Sequence, residues 1–187
     1  MKYLVAGLGN IGAEYAETRH NIGFMVADYA AKGLETTFAT RRYASVAYGR
    51  YKGRTLVIIK PTTYMNLSGN AVKYWLAQEK ILLENLLVIS DDIDLEPGVL
   101  RLKRGGSGGS HNGLNHIIET LGTPEFPRLR FGIGSTFPRG FQSNYVLGEW
   151  NREEKEFLST RIERAVEIVL SFVSVGIDQT MNFYNNR

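Results

Sequence analysis

The sequence predicts an α/β protein: a single-domain α/β/α sandwich around a twisted, mixed and largely parallel sheet. Two observations carry that prediction. Short apolar runs of strand length alternate with segments whose apolar residues recur at helical spacing, the order that builds a sheet covered by helices. Clusters of glycine, asparagine and acid fall at the exits of those runs, where ligands sit in such sheets. No repeat, low-complexity tract or linker divides the 187 residues, so residues 1–187 read as one domain with a core of its own.

Tyr3–Leu8 is the first compact apolar strand. After a glycine segment, Ile22, Met25, Val26, Tyr29 and Ala30 trace a helix that Gly33 is placed to end. Val46–Tyr51 and Leu56–Lys60 read as strands joined through the turn Lys52-Gly53-Arg54, and Pro61 stops the second. Asn66 or Ser68 is expected to cap a helix that buries Ala71, Val72, Trp75 and Leu76. Leu86–Ser90 is a strand delivering the acids Asp91, Asp92 and Asp94, and Val99–Arg104 and Leu129–Ile133 are further strands. Between these last two lie a glycine loop, Gly105–Ser110, and a helix from Asn112 to Leu121. The longest helix starts after Asn151, where Glu154 completes a capping-box pattern, buries Leu158, Ile162, Ala165, Val166, Val169, Phe172 and Val173, and stops at Gly176.

Composition narrows the chemistry. Cysteine is absent, which excludes disulfides, thiolate metal sites and a cysteine nucleophile. No segment has the length and apolarity of a membrane span or a leader, so the expected location is the cytoplasm, away from membranes. A net charge of +3 suits a polyanionic partner without requiring one.

Gly7-Leu8-Gly9-Asn10-Ile11-Gly12 has the spacing of a dinucleotide-binding loop. Its context argues against that use. Glu14 and Glu17 crowd the region a pyrophosphate would need, and Asp28, the acid at about the right separation, falls inside a helical pattern and not at a strand end. A glycine turn also lets Asn10 present its amide to a cleft, although asparagines more often serve their own turn.

Three histidines are present: His20, His111 and His116. The separation of the last two puts them on different faces of a helix, and no metal-ligand spacing appears, so no metal site is expected. His20 can act as a general base on water if a carboxylate fixes its tautomer. Asp91, Asp92 and Asp94 are the candidates; alternation does not choose among them, though Asp91 needs the least reach. No G-x-S-x-G elbow offers a serine nucleophile. Asn66 and Asn112 stand near helix starts, where an amide either caps the helix or faces a ligand oxygen.

Arg101 and Lys103 share one face of their strand, as do Arg128 and Arg130 of theirs. If the strands are neighbours, they make a basic patch beside Gly105–Ser110, a backbone suited to phosphate. Tyr15 and Tyr64 offer surfaces for stacking on a base or ribose.

Together GLGNIGAEYAETRHNIGF, KPTTYMNLSGNAV, SDDIDLEPGVLRLKRGGSGGSHNGL, PRLRFGIG and YVLG resemble, in order and over nearly the whole chain, the bacterial-type peptidyl-tRNA hydrolase family. The resemblance implies an α/β/α sandwich, monomeric and without metal or cofactor, that hydrolyses the ester between a peptide and the 3′-terminal ribose of tRNA. It implies His20 as catalytic base and Asp91 as its supporting carboxylate. Asn10 is then the residue distinguishing peptidyl from free aminoacyl substrates, with Asn66 and Asn112 as substrate contacts, Tyr15 and Tyr64 at the tRNA terminus, and Arg101, Lys103 and Arg130 on phosphate. Ser90, Ile11 and Ser110 depart from the family pattern without removing a reacting group. A nicotinamide-dependent oxidoreductase and a non-catalytic tRNA-binding module are the alternatives.

Overall fold

In the computed structural model, which describes residues 1–185, seven strands form: β1 (Lys2–Gly7), β2 (Ala39–Arg41), β3 (Ala44–Tyr51), β4 (Arg54–Pro61), β5 (Leu86–Asp92), β6 (Leu100–Lys103) and β7 (Arg128–Gly132). They make one sheet in the order β2-β3-β4-β1-β5-β7-β6. The central strands β4, β1, β5 and β7 run parallel, whereas β2–β3, β3–β4 and β6–β7 are antiparallel. The parallel centre follows from composition: β1, β4 and β5 are apolar on successive residues, which suits strands buried on both faces.

Helices α1 (Ile22–Gly33), α2 (Ser68–Gln78), α3 (Asn112–Leu121), α4 (Gln142–Val146), α5 (Arg152–Val175) and α6 (Ile177–Tyr184) complete the chain as described. On one face, Val5, Ile58, Leu87 and Ile89 pack with Val26 and Ala30 of α1 and Ile162, Val169 and Phe172 of α5. On the other, Leu4, Ala6, Val57, Ile59 and Val88 pack with Val72 and Trp75 of α2 and Leu114 and Ile117 of α3. The expected α/β/α layering is therefore present, with a mixed sheet that is parallel in its middle.

α3 and α5 begin and end where the sequence expects them. At the start of α5, Asn151 accepts from the Glu154 N–H at 2.8 Å and Glu154 accepts from the Asn151 N–H at 2.8 Å, completing the capping box. The cap expected at Asn66 or Ser68 does not form. A 3₁₀ turn, Met65–Leu67, winds directly into α2, Ser68 donates back to the Met65 carbonyl, and the Gly69 N–H donates to Nδ1 of His116 on α3. A neighbouring helix thus supplies the acceptor that a local cap would have provided. Leu76 and Leu158, expected in the core, are half-buried. β5 runs on through Asp92, so Asp91 and Asp92 are strand residues with opposite facings and do not form part of a trailing loop.

β2 and α4 are too short to leave a periodic signal. Beyond Gly176, Ile177–Tyr184 forms α6, while residues 186–187 lie outside the described residues. Among the described residues no helix is long and apolar enough to cross a membrane.

Candidate active site

The first glycine segment is shaped by close packing. A Cβ on Gly23 would stand 2.4 Å from the Leu8 nitrogen, and one on Gly7 would stand 2.1 Å from the Gly23 carbonyl oxygen. Without side chains at both positions, α1 begins pressed against the exit of β1. The 3₁₀ turn Arg19–Asn21 that leads into it carries His20. Asn10 and Asn21 lock the two segments together: the Asn10 N–H donates to Asn21 Oδ1 at 2.8 Å, and Asn21 Nδ2 donates to the Asn10 carbonyl at 2.9 Å. The Asn10 side chain does not serve its own turn; its Oδ1 accepts the Met65 N–H at 2.7 Å, leaving Nδ2 as the donor end.

The dinucleotide alternative loses its support here. Gly12, at φ 114°, leads into a 3₁₀ turn, Ala13–Tyr15, and the Glu14 carboxylate lies 2.7 Å from where a Gly12 Cβ would be. Asp28 sits on α1 and pairs with Lys60 at 2.6 Å.

His20 and Asp91, 71 positions apart, meet: His20 Nδ1 is 2.8 Å from Asp91 Oδ2. The second carboxylate oxygen, Oδ1, is 2.8 Å from Nε2 of His111, a contact that the sequence does not predict. The hydrogen-bond roles follow from the partners. The Leu114 N–H donates to His111 Nδ1 at 3.1 Å, so the proton of neutral His111 resides on Nε2 and points at Asp91. Asp91 accepts only, its pKa held far below the usual carboxylate range: burial raises it, but the charges and N–H groups of His20 and His111 outweigh that effect. His20 must then donate from Nδ1, which leaves Nε2 as its basic atom. Burial lowers the His20 pKa, yet the charge and hydrogen bond of Asp91 bring it to a net position above the ordinary value.

The side chains of His20 and Asp91 are 11% and 3% exposed, so this pair works largely out of bulk water. Ligand atoms of His20, Asp91 and His111 lie within 4.8 Å of one another, close enough to suggest a cation. With the tautomers assigned above, the imidazole nitrogens facing the carboxylate act as donors to it. His116 takes no part; it receives the Gly69 N–H. The comparison of His111 with His116 along one helix fails because His111 is the N-cap of α3 and stands outside it.

The basic strands are neighbours, with Arg101 opposite Arg130 and Lys103 opposite Arg128. Their four side chains nevertheless do different things. Arg130 Nε binds Asp92 Oδ2 at 2.5 Å and, with Lys103, lines the cleft that holds His20 and Asp91. Arg128 is only 2% exposed, and its guanidinium serves the carbonyls of Ser107, Pro124 and Phe126, which holds the glycine loop and not a ligand. Arg101 folds back onto the Leu100 carbonyl at 3.0 Å and borders a separate cavity. Gly105, Gly108 and Gly109 line the same cleft, joined by Asn112 at the first turn of α3. Asn66 and Tyr64 are exposed and flank Met65, whose N–H Asn10 holds; Tyr15 ends the turn after Gly12. Neither tyrosine nor Asn66 lines the cleft around His20.

Arg19, beside His20, is a further residue that pattern alone does not reveal. Its guanidinium forms a buried pair with Glu154 at 2.8 Å, donates to the Tyr145 carbonyl at 3.0 Å and stacks 4.1 Å over the Tyr145 ring. Its N–H donates to the Gly148 carbonyl, so the turn bearing His20 is anchored to the start of α5.

A sequence model described as Peptidyl-tRNA hydrolase matches residues 4–187. Proteins named peptidyl-tRNA hydrolase from Cytophaga hutchinsonii and Phocaeicola vulgatus are 51% and 53% identical to the chain over 187 residues, covering 100% of both chains in each case. A crystal structure of peptidyl-tRNA hydrolase from Acinetobacter baumannii superposes with a TM-score of 0.93 at 36% identity, covering 98% of this chain and 94% of that one.

Proposed function

We propose that this chain, which belongs to the peptidyl-tRNA hydrolase family, hydrolyses the ester between a peptide and the 3′-terminal ribose of tRNA, returning the tRNA to translation. The observation that carries the chemistry is the carboxylate of Asp91 bridged by two imidazole N–H groups, with Nε2 of His20 left basic.

Water attacks the ester carbonyl as His20 Nε2 takes its proton. The imidazolium formed is stabilised by Asp91, whose geometry is in turn held by His111. The Asn112 amide, in the cleft, holds the oxyanion, a donor worth about 3 kcal/mol of barrier, and Asn66, beside Met65 outside the cleft, meets the peptide. When the tetrahedral intermediate collapses, the carbon–oxygen bond to the ribose breaks and His20 returns the proton to the leaving oxygen. Asn10 Nδ2 engages a peptide carbonyl that a free aminoacyl ester lacks, and the unmet hydrogen bond disfavours that substrate. Tyr15 and Tyr64 meet the tRNA terminus, and Lys103 and Arg130 hold its phosphate.

The family resemblance supports an enzyme that acts as a monomer, a single domain over residues 1–187, with water as the nucleophile and without metal or cofactor. It works in the cytoplasm, where its substrate arises. The test is turnover of N-acetyl-aminoacyl-tRNA by the wild type and His20→Ala. The variant is expected to lose about 10²-fold or more in kcat while keeping tRNA affinity. Equal turnover by the two proteins would overturn the proposal.

A further inference from the structure

The catalytic cleft balances its charges: Asp91 faces two imidazoles, and Asp92 neutralises Arg130. A second cavity, on the outer side of the edge strand β6, does not. It measures about 510 Å³ and is bordered by Gly98, Leu100, Arg101, Phe157, Arg161 and Asn185, with no carboxylate among the described lining residues.

Both cations there are held in place without being neutralised. Arg161 donates from Nε to the Gly98 carbonyl at 2.7 Å, which orients the guanidinium and leaves its terminal nitrogens for another acceptor. Its helical neighbours three and four residues away are Phe157, Leu158, Arg164 and Ala165, none of them acidic. Burial, and then the charge of Arg164, holds its pKa below the usual guanidinium range, the sign of a cation lacking a counter-charge. Arg101 stands directly across from Arg130, a like-charge pair that disfavours its staying on the ladder. It curls over the open edge of β6 to the Leu100 carbonyl. Asn185 closes the rim, accepting from the Leu102 N–H at 2.8 Å and donating to the Leu102 carbonyl at 2.9 Å. Gly98, at φ 83°, keeps the floor open, since a Cβ there would lie 3.1 Å from the Phe157 ring and 3.2 Å from Arg161.

We infer that Arg161 and Arg101 form a phosphate-binding site separate from the Lys103–Arg130 cleft. Two guanidinium groups with forked donors and no competing acid match a phosphate oxyanion. At about 30 Å³ per water molecule, the cavity admits such a group with its hydration. The ligand is a phosphate of the tRNA backbone that passes around the β6 edge, an assignment that rests on the hydrolase reading, or a free phosphorylated small molecule.

The experiment is a titration of the isotopically labelled protein with inorganic phosphate, followed by NMR at the Gly98 N–H and the Nε–H groups of Arg101 and Arg161. Affinity for deacylated tRNA is measured alongside over a range of salt concentrations. The titration involves no turnover, so its failure is distinct from failure of the hydrolase reading. Phosphate should shift all three signals in the wild type, whereas in Arg161→Gln, which lacks the Arg161 Nε–H, the remaining two should not move. Arg101→Gln, which removes no contact to another element, provides the second test and should weaken phosphate binding at least 5-fold. If tRNA is the source, Arg161→Gln should raise the Kd for tRNA about 5-fold and lower the salt slope by about 1. Lost phosphate response with unchanged tRNA affinity would support the site and assign it to a free phosphate compound. No response in the wild type, or an undiminished one in both variants, would overturn the inference.

Discussion

β5 ends in two adjacent aspartates that face opposite sides of the sheet, and their surroundings direct them to different work. Asp91 is buried and meets the imidazoles of His20 and His111. Asp92 is more open and meets the forked guanidinium of Arg130. The first arrangement transmits charge to a titrating base, whereas the second fixes a cation in position. One strand end thus carries two acids with different partners because its pleat turns them apart, although both border one cleft.

The comparison breaks most severely at Asp91→Asn. The amide cannot accept from both imidazoles as the carboxylate does, so His20 loses its tautomer control and its charge partner; kcat should fall about 10³-fold or more. The His20 pKa, now raised by Asp91, should drop, moving the acid limb of kcat/KM to lower pH. His111→Ala sharpens the contrast because its shift has the opposite sign. With one N–H removed, Asp91 pulls harder on His20, so the acid limb should move to higher pH and kcat at pH 7 should fall about 10-fold. The same change removes the N-cap of α3, costing about 1–2 kcal/mol in denaturant unfolding. On the other face, Arg130→Ala should act on KM, raising it about 10-fold at low salt and reducing its salt dependence, with kcat nearly unchanged. A kcat loss as large as that of His111→Ala would mean the two faces are not separable. The smallest effect is expected at Ser90, whose buried hydroxyl has no partner among the described residues. Ser90→Ala should leave kcat unchanged and alter stability by less than about 1 kcal/mol, toward greater stability.

α5, with a stop signal at each end, is legible in the sequence, bounded by Asn151 and Gly176, and the strand runs announce the sheet. The pairing of His20 with Asp91 was not legible from spacing, since nothing local relates positions 71 apart; the family resemblance supplied it. His111 escaped because it was weighed as a helix residue beside His116, when its place just before the helix is what frees it to reach the carboxylate. Alternation put Arg128 with Arg130 but carries no information on depth, and Arg128 proves to be a buried clamp on backbone carbonyls. The route Arg101 takes around the edge depends on a like charge across the ladder, which needs the strand register to be known.

Glu154 answers to two masters: it closes the capping box of α5 and holds Arg19, the neighbour of His20. A chain still emerging from synthesis therefore has its histidine long before it has the anchor that steadies it. Competence should arrive late and abruptly, when the carboxyl-terminal fifth docks, so that truncations ending before Asn151 would present every reacting group and still be inert.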